Sequence, residues 1–98
     1  MQTEDVHVRV ERFIPFPLKM KNATLLGYAD IVLNNFLLIR GIKLLKKPNG
    51  GIFIGLPSIQ VKEGEFIEIV EILDRKIKEK IRKTVSDYFK EHYGDFIA

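Results

Sequence analysis

Leu73, Ile77, Ile81, Val85 and Phe89 fall four residues apart, with Tyr88 beside them, and this spacing lays one apolar stripe along an amphipathic helix. Asp74 stands where its carboxylate can accept from the free amides that open such a helix, and Gly94 is placed to end it. Nothing upstream has that period. Val6, Val8 and Val10 alternate with His7, Arg9 and Glu11, the period of two that marks a strand with one covered face, which predicts strand one over residues 5–14. A chain with one helix and several alternating segments must lay that helix across a sheet, and antiparallel strands joined by tight turns suit so short a sequence.

The turns divide the rest. Pro15 and Pro17 interrupt a continuous hydrogen-bond ladder, so the segment from Pro15 to Asn22 reads as a loop. Strand two is expected from Ala23 to Leu33. Asn34 and Asn35 tolerate positive φ and turn the chain into strand three, Phe36 to Leu45. Lys47, Pro48, Asn49, Gly50 and Gly51 make a second turn into strand four, Ile52 to Leu56. Pro57 ends that strand, a loop carries Lys62, Glu63 and Gly64, and Phe66, Ile67, Ile69 and Val70 suggest a short fifth strand or extended segment. The expected fold is therefore α+β: an antiparallel sheet of four to five strands with a carboxy-terminal amphipathic helix, residues 1–98 forming one domain.

Strand three has a consequence for assembly. Phe36, Leu37, Leu38 and Ile39 are all apolar, as are Ile42, Leu44 and Leu45, so both of its faces call for cover. One helix covers one face. The other is expected to meet a second copy of the chain, giving a homodimer built through the sheet; the alternative is that the Pro15–Asn22 loop, with Phe16 and Leu18, folds over it.

Charge narrows the function. Net charge is +3 over 98 residues, but the excess is local: Arg75, Lys76, Lys78, Lys80, Arg82 and Lys83 face the single acid Glu79, whereas the chain up to Leu73 is close to balanced. Cations at a helix start are disfavoured by the macrodipole, by roughly 0.3–1 kcal/mol each. Helix stability did not select them. Basic side chains and open amides at that end suit an anion, and cations on successive turns can track a phosphate backbone. The bland reading is a solvated lysine-rich face. Arg40, Lys43, Lys46 and Lys47 form a second basic cluster on strand three and its turn; unbroken alternation points Arg40 and Lys43 to opposite faces, and Lys46 and Lys47 also read as turn solubilisers. Tyr28, Phe53 and Tyr93 could stack on single-stranded bases, though Phe53, flanked by Ile52 and Ile54, reads as core.

Catalysis finds little support. There is no cysteine, which removes disulfides, thiolate chemistry and cysteine-based zinc sites. His7 and His92 lack a nucleophile at motif spacing, and His92 with Asp95 is too slight for a metal site. Gly50-Gly51 leads into a strand and lacks the Lys-Ser/Thr of a phosphate loop. Glu63, Glu65, Glu68 and Glu71 read as polar punctuation around a short strand. No enzyme activity, cofactor, metal or small-molecule substrate is expected. The amino terminus shows no secretory or transit pattern and no run approaches the roughly 18 apolar residues of a membrane span, so a cytoplasmic protein without membrane contact is expected.

The stretch ADIVLNNFLLIRGIKLLKKPNGGIFIGLPS, Ala29 to Ser58, resembles the SpoVG family of bacterial septation and sporulation regulators. Three features carry the likeness: a strand ending in Leu33 with a tight turn, an apolar strand holding Ile42 and then Lys43, and the string from Gly51 through Phe53 to Pro57-Ser58. Gly64, Glu65 and Phe66 and the helix from Asp74 to Tyr88 or Phe89 follow in the family's order, so the likeness spans residues 5–93. Ile59 and Gln60 stand where the family often has a basic pair, and Glu71 and Ile72 where it usually shows His-Pro. The resemblance implies a dimeric sheet-plus-helix protein that binds DNA and also RNA, with the carboxy-terminal helix and the residues before it important for contact. It also implies roles in septum formation, sporulation and control of gene expression. A non-catalytic module that docks an acidic protein of the division machinery is the alternative.

Overall fold

The computed structural model describes residues 5–94; Asp95 and the expected tail to Ala98, like the amino-terminal residues before Asp5, lie outside the described part. Strands β1 (Val8–Lys19), β2 (Thr24–Leu33), β3 (Leu37–Lys46) and β4 (Ile52–Gly55) form one antiparallel sheet in sequence order. Strands β5 (Ser58–Lys62) and β6 (Glu65–Glu68) form a separate two-stranded hairpin, and α1 (Arg75–Tyr93) packs across the main sheet. The α+β architecture matches expectation.

The turns work as their residues demand. Asn34 and Asn35 both have positive φ, 52° and 58°, which matches the right-handed twist of the strands they join. The turn before β4 closes with Gly50 at φ 94° and the Lys47 amide donating to the Gly51 carbonyl at 2.7 Å. Asp74 caps α1: its Oδ1 accepts from the amides of Lys76 at 2.8 Å and Ile77 at 3.2 Å.

Four expectations need correction. Strand β1 runs on to Lys19 through both prolines, so Pro15–Asn22 is mostly strand; it is an edge strand, where a missing donor can face outward, and its register slips between Pro15 and Leu18. The fifth strand is a hairpin of its own, because Gly64 at φ 77° turns β5 back onto β6. Leu73 lies before the helix and is 86% exposed, so the buried stripe begins at Ile77. Gly94 holds a right-handed conformation, φ −57°, so α1 ends without a left-handed glycine.

The core lies between the main sheet and α1. Leu26, Ala29, Ile31 and Leu33 from β2 meet Ile39, Ile42 and Leu44 from β3, with Ile81, Val85 and Phe89 of the helix above them. Burying side chains of this size is worth about 1.5–3 kcal/mol each. Phe13 of β1 joins the helix end through an aromatic cluster, its ring centroid 5.6 Å from Phe89 and 5.4 Å from Tyr93. That ring lies over Gly27: a Cβ there would stand 2.8 Å from Phe13 and 2.4 Å from the Ile14 carbonyl oxygen, so the strands approach this closely only over a glycine.

Two irregularities decide what the opposite face carries. Strand β2 pairs Ala29 with Ile42 and Ile31 with Ile39, leaving Asp30 opposite the extra residue of β3. Gly41 takes that place at φ 76°, and its amide donates to Asp30 Oδ1 at 3.1 Å. Ile39 and Ile42 therefore both face the helix although they are three apart. The apolar run of β3 still has two faces: Ile39, Ile42 and Leu44 turn to the helix, whereas Leu38 and Leu45 turn away from it, Leu45 buried against Leu25. β1 has a matching slip between Val10 and Arg12, which keeps Val10 and Phe13 on the covered side.

Candidate nucleic-acid interface

The helix cations divide into two groups. Arg75, Lys76 and Lys78, in the opening turns of α1, are exposed, and none of them has an ion pair among the described residues. Lys80 is half-buried and donates through Nζ to the Val6 carbonyl at 2.5 Å, tying the segment before β1 to the helix. The Arg82 guanidinium grips the Glu79 carboxylate through Nε at 2.9 and 3.0 Å, and Lys83 Nζ meets Asp87 Oδ2 at 3.0 Å. The hydrogen bond to Arg82 holds the Glu79 carboxyl below its ordinary value, and the same bond raises Arg82. Of the six expected contacts, three are thus open and three engaged. Exposed pairs of this kind are worth little and exchange readily for a stronger anion.

The helix start is not an open amide site. Asp74 takes the Lys76 and Ile77 amides, and its carbonyl accepts from Lys78. With the Lys76, Ile77 and Lys78 amides taken, an anion drawn to this end meets mainly side chains.

The second basic cluster divides differently from expectation. Because of the Gly41 bulge, Arg40 and Lys43 share the sheet face turned away from α1, which corrects the opposite-faces reading. Cross-strand pairing sets their neighbours: Lys43 stands between Tyr28 of β2 and Gly55 of β4, and Arg40 shares a concavity with Arg12 and Asp30. Lys46 lies on the other side, lining a pocket with Ser86 and Lys90 of the helix. Lys47 reaches over Phe53, Nζ 5.5 Å from the ring centroid, and Phe53 is half-buried where a core position was expected. Alternation alone missed Arg12 as a neighbour of Arg40. Two glycine- or charge-bearing irregularities were the only signal, and neither has a fixed sequence signature.

The same face does not present the continuous apolar surface expected of a sheet-to-sheet dimer. Ile14, Phe16 and Leu38 are exposed, with Phe16 6.2 Å from Tyr28, but they are interrupted by Arg12, Asp30, Arg40 and Lys43. The most exposed apolar run lies elsewhere, on the β5–β6 hairpin at Ile59, Val61, Phe66 and Ile67 and onward at Ile69 and Leu73. The described residues contain no helix long and apolar enough to cross a membrane.

The family model described as SpoVG matches residues 1–91. Among curated proteins, the chain is 27% identical to a "Putative septation protein SpoVG" of Treponema denticola, over 90% of this chain and 87% of that protein. Bearers of the same name in Clostridium kluyveri and Caldicellulosiruptor saccharolyticus are 32% and 25% identical, over 87% and 92% of this chain and 79% and 92% of theirs.

Proposed function

The chain belongs to the SpoVG family, and from that premise we propose that it is a cytoplasmic, non-catalytic regulator that binds nucleic acid, DNA and also RNA, mainly through the phosphate backbone. The observation that carries this reading is the exposed set Arg75, Lys76 and Lys78 at a helix start, without ion pairs among the described residues. Cations there oppose the macrodipole, and an external polyanion offsets that cost. Arg82 and Lys83 extend the track once their surface carboxylates are displaced. The names of its relatives connect the family with septation, and on this reading the protein acts in septum formation, sporulation and gene control by occupying nucleic acid.

The working unit is a homodimer. Exposed apolar side chains on the β5–β6 hairpin, Phe66 at 63% and Ile67 at 51%, favour a second copy there. A solution mass near 11.4 kDa at micromolar concentration would exclude it.

The test is a binding titration on a random duplex at several salt concentrations. Each phosphate neutralised contributes about −0.9 to the slope of log K against log salt. Replacing Arg75, Lys76 and Lys78 by Gln should make that slope shallower by about 2.7 if each residue makes one contact. A salt-independent affinity, or none, favours instead a module that docks an acidic protein.

A further inference from the structure

We infer that the sheet face turned away from α1 is a separate site for single-stranded nucleic acid, with Tyr28 and Phe53 as stacking platforms and Arg40, Lys43 and Lys47 on the phosphates. The inference rests on the nucleic-acid reading above but uses a different surface and a different form of ligand.

The site follows from the two strand irregularities. The Gly41 bulge turns Arg40 and Lys43 to one side, and the β1 slip brings Arg12 beside Arg40. Lys43 is paired with Tyr28 on one flank and with Gly55 on the other, so the absence of a side chain at Gly55 leaves space next to an ammonium group. A groove of about 430 Å³ opens there, between Lys43, Phe53 and Gly55 of the sheet and Phe66 of the hairpin. That volume falls within the roughly 300–1,000 Å³ of small-ligand pockets. One carboxylate lines it, Glu68, whose Oε2 accepts from the Leu56 amide at 3.0 Å.

Aromatic rings interleaved with cations select among ligands. Bases in a duplex are stacked on each other and cannot use Tyr28 or Phe53, whereas unstacked bases can, with phosphates reaching the adjacent cations. Lys47 over the Phe53 ring already sets a cation beside a stacking surface. A second copy of the chain suits this face less well. Its concavity mixes Arg12 and Arg40 with Glu11 and Asp30, and charged groups rather than apolar ones interrupt it where the core of a twofold interface would lie.

The experiment compares a short oligothymidylate with a duplex of equal length, by fluorescence anisotropy, while light scattering reports the mass. Phe53→Leu with Tyr28→Leu should weaken single-strand binding by about tenfold or more and leave the duplex unchanged. Lys43→Gln, which removes no aromatic ring from the sheet, should act in the same direction if the aromatic variant fails to fold. Lys76→Gln with Lys78→Gln should weaken the duplex, which separates this site from the helix. Unchanged single-strand affinity in both sheet-face variants overturns the inference while leaving the helix reading intact. A halved mass in those variants overturns it as well, by assigning the face to a second copy.

Discussion

The Asp30 carboxylate accepts the amide hydrogen of Gly41 across neighbouring strands at 3.1 Å, and this one bond stabilises the bulge that decides which side chains share a face. Were β3 to alternate unbroken through Gly41, Ile42 would lie on the face opposite Ile39 and Lys43 would point into the core. The charge map of the sheet is thus a product of one glycine and one acid.

Gly41→Ala should therefore destabilise the protein by about 1–2 kcal/mol, because a side chain at φ 76° meets the left-handed penalty even though open space surrounds the site. Asp30→Ala should cost about 1 kcal/mol through the lost acceptor. Urea unfolding checks both, and because Gly41→Ala retains the backbone amide while Asp30→Ala removes its acceptor, the double variant measures how far that bond holds the bulge against the strain.

Gly27→Ala should cost more per atom added. Its Cβ would stand 2.4 Å from the backbone oxygen of Ile14, which cannot swing aside, and 2.8 Å from the Phe13 ring. Relief requires moving β1 or expelling Phe13 from its cluster with Phe89 and Tyr93. A loss of about 1–3 kcal/mol is expected, with a reduced near-ultraviolet aromatic signal.

Asp74 serves the fold and opposes the ligand. Asp74→Ala should cost about 1 kcal/mol of stability as the Lys76 and Ile77 amides lose their acceptor. Asp74→Asn should keep most of the cap while removing a negative charge beside Arg75 and Lys76, so duplex affinity should rise. Thermal unfolding and a salt titration on the same three proteins separate the two effects.

Local chemistry made much of this architecture legible. Asn34-Asn35, the Pro48–Gly51 turn, the Asp74 cap and the 77-81-85-89 stripe each act within a few residues, and each stands where its chemistry requires. What the sequence hid was non-local. Nothing near Pro15 and Pro17 reveals that β1 is an edge, since that depends on the order of all four strands. The bulge at Gly41 is equally silent, because a glycine in a strand reads as a weak position until its partner Asp30 is known. One unseen slip reverses every later side chain, and so Arg40 and Lys43 were assigned to opposite faces. The candidate helix cations were legible as charges but their partners were not: Glu79 lies three residues before Arg82, and the same spacing could have left it in solvent.

Glu79 offers the most discriminating variant, because it links acidity to ligand affinity. The Arg82 guanidinium holds its carboxyl below the ordinary value of 4.5. With the folded value depressed, whatever stability the pair contributes is present above that ordinary value and is lost as pH falls through the lowered one. The stability difference between wild type and Glu79→Gln should accordingly be constant near neutrality and shrink toward zero in acid. For the ligand the sign is opposite. Glu79→Gln releases Arg82 and removes an acid from the helix face, so duplex affinity should increase and the salt slope should steepen by about 0.9 if Arg82 then takes up one phosphate. Asp87→Asn should do the same through Lys83, which now meets that carboxylate at 3.0 Å. Weaker binding in both variants would mean that these carboxylates hold Arg82 and Lys83 in place for the phosphates instead of competing with them, whereas unchanged binding would confine the helix track to Arg75, Lys76 and Lys78.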